Sequence, residues 1–378
     1  MRIDNLKGLR VAFRVDASLE IGTGHVMRCL ALANELADAG AQCLFISREL
    51  PGNLISYLRH NGHQVHSLPV AYGADNTATA GSSPPHAPWL KCDWRTDALQ
   101  TSRAIQDANA GDVAIDWIIV DSYSLDERWE RILRSSSHRL LAIDDLVDRP
   151  HDCDLLVDQS IGRPTNAYTA LVPATCCTLI GPEFALLRPE FRRHRQQSLA
   201  RRRSPELRQL LITMGGVDSP NATGQTLEAL YKCPLTANCE ISVVIGPQFP
   251  WAAAVQRASV HLPWKVTLLT DVNDMAAVLT ASDLVIGAAG TSALERCCLG
   301  VPSLLVVLAH NQKFGAEALH TLGAARFIGP LELLPESLPA AITYSLDSTN
   351  LLKMTEAASA VTDGSGIGSV LRHMSELS

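Results

Sequence analysis

RVAFRVDASLEIGTGHVMRCLALANELADAG, residues 10–40, reads as a strand, a glycine-bearing turn and a helix in direct succession. RVAFRV is a short, β-branched apolar run of the kind that fills a parallel sheet covered on both faces. HVMRCLALANELADAG then repeats apolar residues at helical spacing and stops at Gly40. The same unit recurs along the chain: AQCLFIS, DWIIVDSY, RLLAIDDL and CDLLVDQS follow in the first half. LRQLLITMGG, CEISVVIG, WKVTLLT, ASDLVIGAAG and VPSLLVV form a second series. Strands alternating with helical patterns in two series predict an α/β protein of two Rossmann-like, doubly wound parallel-sheet domains. The polar, basic stretch RRHRQQSLARRRSPE marks the break near Arg192–Ser204, giving domains over 1–195 and 205–378. We read its cations as a solvated linker or helix surface, and the closing DGSGIGSVLRHMSEL as a helix that can cross back to the first domain.

The length of 378 residues suits two ordinary cores. A formal net charge of −7 disfavours nucleic-acid or anionic-membrane partners, which prefer a basic face. No apolar run reaches the roughly 20 residues of a membrane span, and MRIDNLKGLRVAFRV lacks the apolar core of a signal peptide. The ten cysteines contain the adjacent pairs Cys176-Cys177 and Cys297-Cys298 but no CxxC, a pattern of reduced, mostly buried thiols in a cytoplasmic protein. The small, polar, proline-bearing segment 76–88 reads as a mobile loop. Nothing in the sequence sets an oligomeric state; a monomer is compatible with it.

In open parallel sheets ligands bind beyond the carboxyl ends of the strands, so each strand-to-helix turn is a candidate site. The first carries Asp16, Ser18, Gly22 and Gly24, followed by His25 and Arg28 on the helix. It is no dinucleotide fingerprint, because Met27 stands where the third glycine of GxGxxG belongs. An imidazole at a helix N-terminus is biased toward its neutral form and can act as a general base; the alternative is a histidine that ties down the turn. Asp121 and Tyr123 end another strand. Asp144-Asp145 ends the next, and with Arg149 and His151 nearby we read the pair as an N-cap and ion-pair partner rather than a metal site. In the second series, Gly215, Gly216 and Asp218 form a turn whose amides can receive a phosphate. Gly290, Thr291 and Ser292 suit a diphosphate and Glu295 a ribose diol, although the hydroxyls and Glu295 would equally form a capping box. Asn311 and Gln312 are carboxamides at a strand end, suited to sugar hydroxyls or acetamido groups.

Taken as an ordered set, RVDASLEIGTGHVMRCLALA, HAPWLKCDWRTDA, VDSY, IDDLVDRPHDCDLLVDQ, GPEFALLRPEF, MGGVD, NDMAAVL and AAGTSALERCCLGVPSLLVVLAHNQ resemble one family over most of the chain. It is the UDP-2,4-diacetamido-2,4,6-trideoxy-β-L-altropyranose hydrolase (PseG) family of pseudaminic acid biosynthesis, which serves flagellin glycosylation and is related to the MurG-type glycosyltransferases. The resemblance implies a GT-B architecture with an interdomain cleft, and water attack at the anomeric carbon with inversion, without a cofactor or metal. It implies His25 as general base, Tyr123 and Asn311 in the sugar site, Met275 near the uracil, Gly290–Ser292 at the diphosphate and Glu295 at the ribose. Val217, Leu294 and His310 depart from the family pattern beside those positions. Two other readings use the same motifs: a MurG-like glycosyltransferase with a UDP-amino sugar donor, and a non-catalytic UDP-sugar sensor.

Overall fold

The computed structural model describes residues 6–70, 84–108, 115–246, 249–270 and 272–377; most of segment 76–88 lies outside them. The chain divides into two units, 1–186 with 366–378, and 187–365. In the first, strands β1 (Arg10–Val15), β2 (Gln42–Arg48), β3 (Gln64–Leu68), β4 (Ile115–Asp121), β5 (Ser137–Ile143), β6 (Leu155–Asp158) and β7 (Cys177–Ile180) form a sheet of order β3-β2-β1-β4-β5-β6-β7. Every pairing in it is parallel. In the second, β8 (Gln209–Thr213), β9 (Glu240–Val244), β10 (Val266–Leu269), β11 (Leu284–Ala288), β12 (Ser303–Val307) and β13 (Arg326–Pro330) form a parallel sheet of order β10-β9-β8-β11-β12-β13. The doubly wound α/β reading holds for both units.

Burial on both faces explains the unbroken apolar strands. Val11, Phe13 and Val15 of β1 pack into one core with Trp117 and Ile119 of β4, while Ala12, Ile118 and Val120 face a second core. Strand order reverses between β1 and β4, and again between β8 and β11, and ligands gather beyond the carboxyl ends of strands at such switch points. The pairing of Val15 with Asp121 brings the end of β4 level with the start of the glycine turn.

The boundary falls at 186/187 rather than within 192–204, because the basic stretch is not a linker. It forms the helix Pro189–Arg201, on which Arg192, Arg193 and Arg201 are exposed as a helix surface, while Arg195 and, just beyond the helix, Arg202 are anchored inside the second unit. Arg195 donates to the carbonyls of Cys298, Ser359 and Thr362, and Arg202 to those of Leu279 and Ser282. The last helix, Gly366–Leu377, belongs to the first unit, where Ile367, Val370, Leu371 and Met374 join the core around Phe13. Its first residue meets the backbone of Phe184 and Ala185 so closely that a Cβ would lie 2.4 Å from the Ala185 carbonyl oxygen. Gly366→Ala is therefore expected to cost about 1–3 kcal/mol through overpacking against backbone that cannot rotate away. Equilibrium unfolding in urea checks this, and an unchanged midpoint would show that the helix shifts freely.

Among the described residues no helix is long and apolar enough to cross a membrane. All ten cysteines are free, seven of them buried.

Candidate active site and nucleotide-binding turns

The helix Gly24–Asp38 starts with the glycine turn already closed. Ser18 Oγ accepts the amides of Glu20 and Ile21, and the Gly22 amide donates to the Ser18 carbonyl at 2.8 Å. The turn is pinned from below by Asp16, whose Oδ1 accepts the Arg48 amide at 2.7 Å and pairs with Arg14. Asp16 Oδ1 and Ser18 Oγ, of residues expected to touch substrate, are thus engaged in shaping the turn. That shape presents His25, the second residue of the helix, at the strand end.

His25 Nδ1 lies 2.6 Å from Asp121 Oδ1. Asp121 is 1 % exposed, and Arg28 donates to it from Nε at 2.6 Å and Nη2 at 2.7 Å. Burial alone would raise the Asp121 carboxyl, but Arg28 and then His25 outweigh it and hold the group far below the usual carboxylate range. An ionised carboxylate only accepts, so the proton between the two groups sits on Nδ1 and the lone pair of a neutral ring is on Nε2. Among the described residues Nε2 has no hydrogen-bond partner.

Arg28 also donates from Nη1 to Asp145 Oδ2 at 2.9 Å, and Asp145 in turn accepts the Tyr123 hydroxyl. The Tyr123 ring meets the His25 ring edge-on, with centroids 4.5 Å apart, and His86 and Trp89 pack on the same phenol. Burial, then Asp145, push the Tyr123 hydroxyl up, so it stays a donor. Asp121 and Arg28 were expected among the substrate contacts. The structure instead engages both Asp121 oxygens and most of the guanidinium within a chain from His25 to Tyr123. Asp145 completes that chain, and its partners, 22 and 117 residues away, leave no local mark in the sequence. His86 and Trp89 sit in the HAPW segment, from which no site residue was expected.

Asp144 and Asp145 diverge rather than converge. Asp144 pairs with Arg149 at 2.8 Å and accepts the Tyr168 hydroxyl and the amides of Leu146 and Val147. The ion pair expected for it is present; the turn that it caps is not a helix start. Beside it, His151 Nδ1 lies 2.7 Å from the buried Glu130. Burial works against a charged His151, yet Glu130 and then Asp144 outweigh it and raise its pKa. The stability from this pair is fully present below the unfolded value of about 6.5 and is lost as pH rises through the higher folded value. His151→Gln is expected to flatten the fall in unfolding free energy above neutral pH. Denaturant titrations from pH 6 to 9 measure that slope, and an unaltered slope would assign it to another group.

In the second unit, Gly215 adopts a φ of +96°, and the turn is packed so tightly that a Cβ on Gly246 would lie 2.1 Å from the Gly216 carbonyl oxygen. Asp218 accepts the amides of Ala222 and Thr223 at 2.8 Å each, so its carboxylate caps the following helix instead of pointing to a ligand. At the end of β11, Thr291 makes no side-chain cap bond to the helix Ser292–Cys298, and the capping-box alternative is not formed. Burial raises the Glu295 carboxyl, and Arg188 stands 3.8 Å from it. Met275 is half-buried at the start of the helix Met275–Ala281, which Asp274 caps through the Ala277 amide. After β12, Gln312 Oε1 accepts the Leu308 amide, while Asn311 is exposed and makes no cap bond.

Residues 211–366 match the glycosyltransferase family 28 C-terminal domain. An uncharacterized protein of Methanocaldococcus jannaschii is 25 % identical over 80 % of this chain, which spans 56 % of that protein's length. The UDP-2,4-diacetamido-2,4,6-trideoxy-β-L-altropyranose hydrolase of Campylobacter jejuni is 23 % identical over 83 % of this chain and 97 % of its own. The crystal structure of Acinetobacter baumannii MurG superposes with a TM-score of 0.66 over 97 % of this chain and 99 % of that one, at 17 % identity. The fold is GT-B.

Proposed function

We propose that the protein hydrolyses a UDP-linked diacetamido-trideoxy sugar, UDP-2,4-diacetamido-2,4,6-trideoxy-β-L-altropyranose, to UDP and the free sugar. The observation that carries this reading is the His25–Asp121 pair. A carboxylate held ionised fixes the imidazole tautomer and orients a general base whose Nε2 has no partner among the described residues. Similarity to the Campylobacter hydrolase along nearly its whole length supports the substrate class.

In the proposed reaction a water oxygen bonds to the anomeric carbon while Nε2 of His25 takes its proton. The bond from that carbon to the β-phosphate oxygen breaks, UDP leaves with the electron pair, and the configuration inverts. UDP is a good leaving group, so the demand on the protein is to orient the water and to stabilise charge growing on the β-phosphate. We assign the second task to the glycine turn at 215–216 and to Gly290, Thr291 and Ser292. Glu295 is assigned to the ribose, Met275 to the uracil, and Tyr123, Asn311 and Gln312 to the sugar and its acetamido groups. The uncapped Thr291 and Asn311 side chains support those assignments, since neither is spent on its own helix.

Time-resolved ¹H NMR of the protein with this substrate in EDTA, and with UDP-N-acetylglucosamine in parallel, tests the proposal. Release of UDP and inverted free sugar from the altrose compound alone is the expected outcome. Consumption of neither compound, with UDP still bound, would overturn hydrolysis and direct the search to an acceptor and a transferase.

A further inference from the structure

Arg296, on the helix Ser292–Cys298, is 1 % exposed, and among the described residues no carboxylate stands within ion-pair distance of it. The buried arginines of the first unit are different: Arg14 pairs with Asp16 and Asp97, and Arg28 with Asp121 and Asp145. A buried cation without a counter-charge is costly, so the fold must offset it in another way or leave it for a ligand.

Arg202 shows the first solution. Among the described residues it too lacks a carboxylate partner, but its guanidinium donates to the carbonyls of Ser198, Leu279, Thr280 and Ser282, so the ends of two helices take up its donors. Arg296 has no such cage. Its Nη2 donates to the Ala288 carbonyl at 2.8 Å and its Nη1 to Ser292 Oγ at 3.2 Å, which sets the cation directly against the turn from Ala288 to Ser292. The packing is close, since a Cβ on Gly287 would lie 3.0 Å from Nη1. Burial lowers the guanidinium to about 10, which leaves it charged at neutral pH.

The bond to Ser292 has a direction. Because Arg296 donates to Oγ, the hydroxyl hydrogen of Ser292 cannot point back at the guanidinium and is available to an outside acceptor. Thr291 beside it is exposed and uncapped.

We propose that Arg296 is a positioning residue that makes the Gly290–Ser292 turn an anion site, turning the Ser292 hydroxyl outward as a donor and lending the turn an uncompensated positive charge for the diphosphate of a nucleoside diphosphate. The inference rests on the nucleotide reading above. It goes further in placing the charge on a residue that never touches the ligand.

Isothermal titration of wild type, Arg296→Gln, Arg296→Lys and Ser292→Ala with UDP, uridine and inorganic pyrophosphate decides the matter. Wild type is expected to prefer UDP to uridine. Arg296→Gln should weaken UDP by about tenfold to a hundredfold and leave uridine unchanged, with Arg296→Lys recovering part of the loss and Ser292→Ala falling between. An equal loss of UDP and uridine would assign Arg296 a purely structural role and overturn the proposal, as would an undiminished UDP preference in folded Arg296→Gln. If Arg296→Gln does not fold, the other two variants carry the same comparison. Wild type that ignores UDP but binds pyrophosphate in an Arg296-dependent way would overturn the nucleotide reading and keep the anion site. Binding of neither would overturn both.

Discussion

His25→Ala is expected to lower turnover of the UDP-sugar by about 10²- to 10⁴-fold, the usual contribution of a positioned general base, while UDP affinity stays within about threefold of wild type. The expectation rests on the geometry of the first unit: Asp121 holds Nδ1, and Nε2 has no partner among the described residues. Asp121→Asn gives the sharper test of that geometry. An amide at this position can donate to Nδ1, so the ring proton moves to Nε2 and the base is lost without removing the imidazole. A comparable fall in turnover with His25 intact is therefore expected, provided that circular dichroism shows the fold preserved. Single-turnover kinetics with isothermal titration of UDP measure both quantities. If His25→Ala loses UDP binding in parallel with activity, the histidine ties down the turn and is not the base.

The second large effect concerns stability. Asp97 is fully buried and accepts Arg14 from Nε at 3.0 Å and Nη2 at 2.6 Å, Arg48 at 2.6 Å and the Trp129 indole at 3.0 Å. Burial opposes its ionisation, but Arg14 and Arg48 outweigh burial and lower its pKa. Asp97→Ala leaves two buried guanidinium groups with Asp16 as the remaining carboxylate, and we expect a loss of about 3–5 kcal/mol. That is a large part of the roughly 5–15 kcal/mol available to an ordinary domain. Because the folded pKa is depressed, the contribution is present above the unfolded value of about 3.9 and is lost as pH falls through the folded value. Urea unfolding at neutral pH and again near pH 3 gives both numbers. A neutral-pH loss below about 1 kcal/mol would mean that water reaches the arginines. Since Arg48 also holds Asp16 through its backbone amide, partial loss of the network should loosen the turn that carries His25 before the sheet unfolds.

These two predictions differ in how far the sequence foretells them. The turn that carries His25 is legible because its signal is local: a strand, two glycines and a helix lie within one stretch. The turns at Gly215-Gly216 and Gly290–Ser292 are legible as strand-to-helix connections for the same reason. Asp97 offers no such signal, since an aspartate in the first turn of a helix reads as an ordinary solvated N-terminal acid. The hydroxyls of Thr291 and Ser292 are intermediate, because a helix cap and a phosphate site use the same atoms and are told apart by where the hydrogen bonds go. The basic stretch around Arg195 and Arg202 misleads for a related reason: charge in the sequence suggests solvent, but carbonyls at helix ends can bury a guanidinium.

What the sequence by itself determined is the α/β class, the two series of strands and the turns that carry His25 and the glycine pairs. All follow from periodicity and from backbone demands that act over a few residues. Tertiary structure alone decided the partners: Asp121 for His25 across 96 residues, Asp145 for Arg28 across 117, and, among the described residues, no carboxylate for Arg296. Those choices depend on sheet register and on which strands become neighbours, as when Val15 aligns with Asp121. Register is set by the packing of whole layers, and no short stretch of chain encodes it.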